Sequence, residues 1–161
     1  MNRKIERLAA EIIARGTAAG RLVATAESCT GGLIAGALTE VPGSSAVFDR
    51  GFVTYTNDAK SEMLGVDPGL IASRGAVSAE VATAMAAGAF LRSDAHIAVA
   101  VTGIAGPTGG TADKPVGTVW FALAVEDEVI RAEKRVFAGG SRRFVRERTV
   151  ETALRLILPS V

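Results

Sequence analysis

The stretch Leu22-Val23-Ala24-Thr25-Ala26-Glu27-Ser28-Cys29-Thr30-Gly31-Gly32 decides how this chain is read. Residues 22–26 predict a short strand. A polar turn follows, and small residues then predict a helix over 30–40, stopped by Val41-Pro42-Gly43. A strand feeding directly into a helix opens a right-handed crossover, the unit of a mostly parallel sheet.

Working outward from it, residues 2–18 predict a helix, with Ile5, Leu8, Ile12 and Ile13 on one face and Gly20 at its end. On the other side, Val47 to Thr56 is β-rich around Phe52-Val53-Thr54-Tyr55. Asn57 is placed as the N-cap of a short helix ending near Gly65. Ser78 caps an Ala-rich helix running to about Leu91, with Glu80 in its first turn, as the helix dipole favours. His96 to Val101 is an apolar strand. A loop from Thr102 to Pro115 holds Gly103, Gly106, Gly109 and Gly110. Strands at 117–125 and 129–137 are joined by Glu126-Asp127-Glu128 as a hairpin. Ser141 caps a last helix with Val150, Leu154, Ile157 and Leu158 in one stripe.

The order α-β-α-β-α-α-β-β-β-α predicts an α/β fold. It is a three-layer α/β/α sandwich with a mixed, mostly parallel sheet of about five strands, one of them antiparallel. The 161 residues, 48% hydrophobic and 22% charged, suit one domain over 1–161 and exclude a disordered chain. With 18 basic and 17 acidic residues, no net field draws the chain to nucleic acid. One cysteine and one histidine exclude a disulfide framework and a Cys/His zinc cluster within one chain. No signal-like or membrane-length apolar run is present, so the cytoplasm is the default compartment.

Ligands of open α/β sheets bind beyond the carboxyl ends of the parallel strands. Three polar segments leave such ends: 27–32, 55–60 and 102–107. If their strands are neighbours, the segments share one crevice. Ser28 lies where a strand becomes a helix, and free amides there can hold an oxyanion or a phosphate. Gly31 and Gly32 allow close backbone approach, which with Thr30 makes this turn a candidate substrate contact. The plainer reading is that Ser28 or Thr30 only caps the helix. Cys29 is a second candidate nucleophile or else a small buried residue. Glu27 is a proton donor or a charge solvated at the rim.

A serine nucleophile needs a base. His96 begins its strand, so it belongs at the far end of the sheet, roughly 20 Å from Ser28. Lys60 is the better base, at about the third position of its helix, where dipole and burial both lower an amine pKa. It is otherwise a solvated lysine. Arg142 and Arg143 also place cations in a first turn, a reversal that a bound anion such as phosphate would explain, as would a nearby carboxylate. There is no P-loop motif, and the glycines after Thr102 do not fit Gly-x-Gly-x-x-Gly.

Five segments, 26–32, 51–60, 101–110, 114–119 and 141–143, resemble the CinA C-terminal domain family of nicotinamide-nucleotide amidases, in the family's order and over nearly the whole chain. The resemblance implies hydrolysis of nicotinamide mononucleotide to nicotinic acid mononucleotide and ammonia, in pyridine-nucleotide recycling, without metal or cofactor. It implies Ser28 as nucleophile and Lys60 as base with Tyr55 beside them. Thr102, Gly103 and Gly106 would line the pocket, and Arg142 would hold the phosphate; from the residues themselves Arg143 is the reserve, since one of two adjacent helical residues should face elsewhere. The resemblance also implies the stand-alone form of the domain and a homodimer or higher homo-oligomer. The competing expectation is a non-catalytic nucleotide-binding regulatory module tied to competence or DNA damage.

Overall fold

The computed structural model describes residues 2–161. Its helices are α1 (Arg3–Ala19), α2 (Leu33–Thr39), α3 (Asn57–Leu64), α4 (Pro68–Arg74), α5 (Ala79–Leu91) and α6 (Arg142–Ile157). Its strands are β1 (Val23–Glu27), β2 (Phe48–Val53), β3 (Ile97–Gly103), β4 (Thr118–Val125) and β5 (Arg131–Val136). They form one sheet in the order β2-β1-β3-β4-β5. β1 pairs in parallel with β2 and β3, while β4 is antiparallel to both of its neighbours. The expected mixed sheet of five strands, with one strand reversed, is what the chain forms.

The two faces of the sheet are built from different residues. β3 and β4 alternate strictly, as a pleated strand requires. Ile97, Val99, Val101, Phe121 and Leu123 face a core of large side chains that includes Ile12, Ile34, Leu38 and Leu154. Ala98, Ala100, Ala122 and Ala124, with Ala24 and Ala26 of β1, face a second core against Ala82, Met85, Ala86 and Ala89 of α5. The alanine face lets α5 lie close to the sheet. α5 in turn meets α3 where Gly88 passes the carbonyl oxygen of Leu64, which a methyl group at Gly88 would strike.

Three local expectations change. α2 starts at Leu33 rather than near Thr30, because Gly31 and Gly32 take φ values of 59° and 95°, outside the helical region. Thr56 caps α3 in place of Asn57, its Oγ1 accepting from the Ala59 amide at 3.1 Å, so Asn57 is the first helical residue. α4 was not expected. Asp67 caps it, accepting from the Gly69 amide at 2.9 Å, and Pro68 occupies its first turn. Asp-Pro was a readable start signal, but seven residues are too few to show an apolar period.

Candidate active site

The carboxyl ends of β1, β2 and β3 do converge. They open into a cavity of about 230 Å³ lined by Ser28, Cys29, Tyr55, Asn57, Lys60, Ala76, Val77, Thr102, Gly103, Ala105 and Arg142. A larger cavity, about 440 Å³, lies between α1, α2 and α6, but neither Ser28 nor Lys60 reaches it. Chemistry, not size, picks the smaller one.

Ser28 extends β1 by one step, its amide donating to Val101 O at 3.1 Å, so the sheet anchors its amide. Thr54 likewise extends β2, its amide donating to Glu27 O at 2.8 Å. The chain then turns through Tyr55 and Thr56 into α3. Lys60, the fourth residue of that helix, points back into the cavity. It is 1% exposed, and its Nζ lies 3.0 Å from Ser28 Oγ. The carbonyl oxygens of Thr54 at 2.9 Å and Tyr55 at 3.4 Å also accept from it. Burial removes water from the ammonium and holds the Lys60 pKa below its ordinary value of 10.5. The solvated-lysine reading therefore fails.

Cys29 lies beside Ser28 but packs into the large-residue core. Burial foremost, with Glu27 adding to it, pushes its thiol up to about 12, so it is not a thiolate near neutral pH. Glu27 is fully buried rather than solvated at the rim. Its carboxylate accepts from the amides of Ile34 at 2.8 Å and Ala35 at 2.9 Å, and so caps α2. Its oxygens are committed there, which leaves it no role as a proton donor. His96 sits at the opposite end of the sheet, where its Nδ1 accepts from the Leu22 amide at 2.9 Å.

The other end of the cavity is open. Arg142, first residue of α6, donates to Gly106 O at 2.8 Å and to the Tyr55 hydroxyl at 2.7 Å. Tyr55 is 56% exposed, and only its backbone carbonyl faces Lys60. Its side chain thus belongs with Arg142 and not with the serine and lysine. Arg143 turns outward and pairs with Glu147 at 2.9 Å. Thr102 Oγ1 donates to Ala76 O at 2.8 Å and anchors the segment that carries Val77 into the wall. A Cβ at Gly103 would come within 2.9 Å of Thr118 O, so only glycine fits there. Thr30 and Gly31, expected to touch substrate, are not among the residues lining this cavity. Thr30 is fully buried behind its wall.

The reading of the sequence missed Arg146. Its guanidinium donates from Nε to Cys29 O at 3.2 Å and from Nη2 to Thr30 O at 3.0 Å. The signal was there, since Arg146 stands four residues after Arg142 and so shares its helix face.

The family model of the CinA C-terminal domain matches residues 5–161. The chain belongs to this family. It is 50% identical over 157 residues to the nicotinamide-nucleotide amidohydrolase PncC of Enterobacter agglomerans, covering 95% of both chains. It is 55% identical over 139 residues to a CinA-like protein of Mycolicibacterium gilvum, 86% of this chain but 33% of that longer one. Among solved structures, a competence/damage-inducible protein of Agrobacterium tumefaciens superposes with a TM-score of 0.97 at 53% identity, over 99% of this chain and 96% of that one. A CinA superfamily protein of Escherichia coli gives 0.91 at 38% identity, over 98% and 90%. Among the described residues no helix is long and apolar enough to cross a membrane.

Proposed function

We propose that this chain is a nicotinamide-nucleotide amidase, hydrolysing nicotinamide mononucleotide to nicotinic acid mononucleotide and ammonia by a serine–lysine mechanism. The observation that carries the reading is the buried contact of 3.0 Å between Ser28 Oγ and Lys60 Nζ. A neutral Lys60 keeps its two N–H groups on the Thr54 and Tyr55 carbonyls and turns its lone pair to the serine hydroxyl. Ser28 Oγ attacks the carboxamide carbon as its proton passes to Lys60. Lys60 then protonates the amide nitrogen, the C–N bond breaks and ammonia leaves an acyl-serine ester. Water attacks that ester as Lys60 accepts one of its protons; Lys60 returns that proton to Ser28 Oγ as the ester C–O bond breaks, and the carboxylic acid leaves, giving its own proton to solvent.

The cavity lining supports an anionic substrate. It contains two basic side chains, Lys60 and Arg142, and no carboxylate. Arg142 stands at the start of α6, where backbone amides and guanidinium together suit a phosphate. Ala76, Val77 and Ala105 offer an apolar wall to a flat ring. In this reading the chain works without metal or cofactor in cytoplasmic pyridine-nucleotide recycling, as a homodimer or higher homo-oligomer. The test is ammonia release from nicotinamide mononucleotide by purified protein, with Ser28→Ala as the inactive control. Tight binding of the nucleotide without ammonia release would put the regulatory-module reading in its place.

A further inference from the structure

The loop from Ser28 to Gly32 carries the proposed nucleophile, yet little of it is regular structure. The sheet's hold ends at the Ser28 amide, on Val101 O; beyond it Gly31 and Gly32 are left-handed, and α2 begins only at Leu33. The Thr30 hydroxyl is buried without a hydrogen-bond partner, so it does not tie the loop down. The far end is fastened by Glu27, which receives the Ile34 and Ala35 amides. Among the described residues, the one side chain that reaches the loop's carbonyls is Arg146, at Cys29 O and Thr30 O. Those bonds join residues 116 and 117 positions apart, so they brace the loop from a different layer of the protein.

We infer that Arg146 is a positioning residue for the nucleophile: its forked donation to the Cys29 and Thr30 carbonyls holds Ser28 Oγ within reach of Lys60. The inference rests on the serine–lysine reading above. A guanidinium suits the task because it offers parallel donors in a fixed plane, which a lysine ammonium does not. The same helix face carries Arg142 one turn earlier, on Gly106 O and the Tyr55 hydroxyl. α6 is therefore a rigid bar between the open end of the cavity and the loop behind its closed end. Arg146 makes no contact with the cavity itself, so its effect falls on turnover and not on binding.

The experiment compares wild type, Arg146→Ala, Arg146→Lys and Ser28→Ala on nicotinamide mononucleotide, well below each variant's melting temperature. Arg146→Ala should lower kcat by about 10- to 100-fold, the scale of a misplacement of about 1 Å, with KM within about threefold of wild type. Arg146→Lys keeps the charge but loses the fork, and should also fall by roughly 10-fold. Arg146 borders the larger cavity between α1, α2 and α6, so a small cation can reach the space left by its truncation. Added guanidinium, at non-denaturing concentration, should restore much of the Arg146→Ala rate, and methylammonium should not. Wild-type kcat in either folded Arg146 variant overturns the inference, as does a rise in KM at constant kcat. A loss that guanidinium leaves unrepaired means that Arg146 acts through the fold at large, and overturns it too. If Arg146→Ala does not fold, Arg146→Lys decides by its kcat. Turnover by Ser28→Ala would instead sink the underlying mechanism, so the two failures are told apart.

Discussion

The two ends of the cavity hold their cations in opposite ways. At the closed end Lys60 is 1% exposed, faces a hydroxyl and backbone carbonyls, and has no carboxylate partner. At the open end Arg142 shares the water with a Tyr55 that is 56% exposed. Both groups stand near a helix start, where a cation is disfavoured. Burial adds to that disfavour and shifts the balance toward the neutral amine, the form able to take a proton. Exposure leaves it as a standing charge that an anion can answer. One arrangement suits chemistry, the other recognition.

The sharpest way to break this contrast is at the closed end. Ser28→Ala should lower kcat at least about 10³-fold, measured as ammonia release, because the positioned nucleophile is gone. Lys60→Met should cost about 10²- to 10⁴-fold in kcat, the usual range for a general base. Lys60→Arg should not recover it, since a guanidinium stays protonated near neutral pH. The wild-type pH profile carries the sign. Lys60 must be neutral to act, and its pKa lies below 10.5, so the rate should fall as pH drops through that lowered pKa and level off above it. A profile flat through the acid side would remove Lys60 as the base.

The open end should respond through binding. Arg142→Ala should reduce kcat/KM for nicotinamide mononucleotide by roughly 10- to 150-fold, the worth of a charge-assisted contact of about 1.5–3 kcal/mol. The loss should be far smaller for nicotinamide riboside, which lacks the phosphate. Equal losses on both would show that Arg142 supports the site generally, and the contrast between the two ends would collapse. The smallest effect belongs to Cys29. With its thiol pushed up to about 12, Cys29→Ser should leave kcat within about threefold, while burying a hydroxyl in the core costs about 1–3 kcal/mol of stability by denaturant unfolding.

Much of this was legible because it rests on period and punctuation. The apolar run of β3, the hairpin of β4 and β5, the Ser78 and Ser141 caps and the glycine stops each speak through neighbours in sequence. The crevice was legible only on the condition that the three strands are neighbours, which the order β2-β1-β3 meets. What stayed hidden depends on contacts across the fold. Glu27 read as a rim charge because nothing local says that the amides of Ile34 and Ala35 come back to meet it. The family resemblance set Tyr55 beside Ser28 and Lys60, yet its hydroxyl goes to Arg142, 87 residues away. Thr30 looked like a substrate contact because it neighbours Ser28, but the loop turns it inward.

The alanine face of the sheet has a kinetic meaning. Lys60 does not ride on the strand that bears Ser28. It rides on a short helix, packed on α5, and α5 rests on the sheet's layer of alanines. The gap across which the proton travels is therefore inherited from the thickness of that layer, far from any substrate. Lengthening the side chain at Ala98 or Ala100, or adding a methyl at Gly88, would jack the base away from its nucleophile while leaving every cavity residue unsubstituted. Such variants should show as slow enzymes with ordinary appetite for substrate, their lesion invisible to any survey confined to the site.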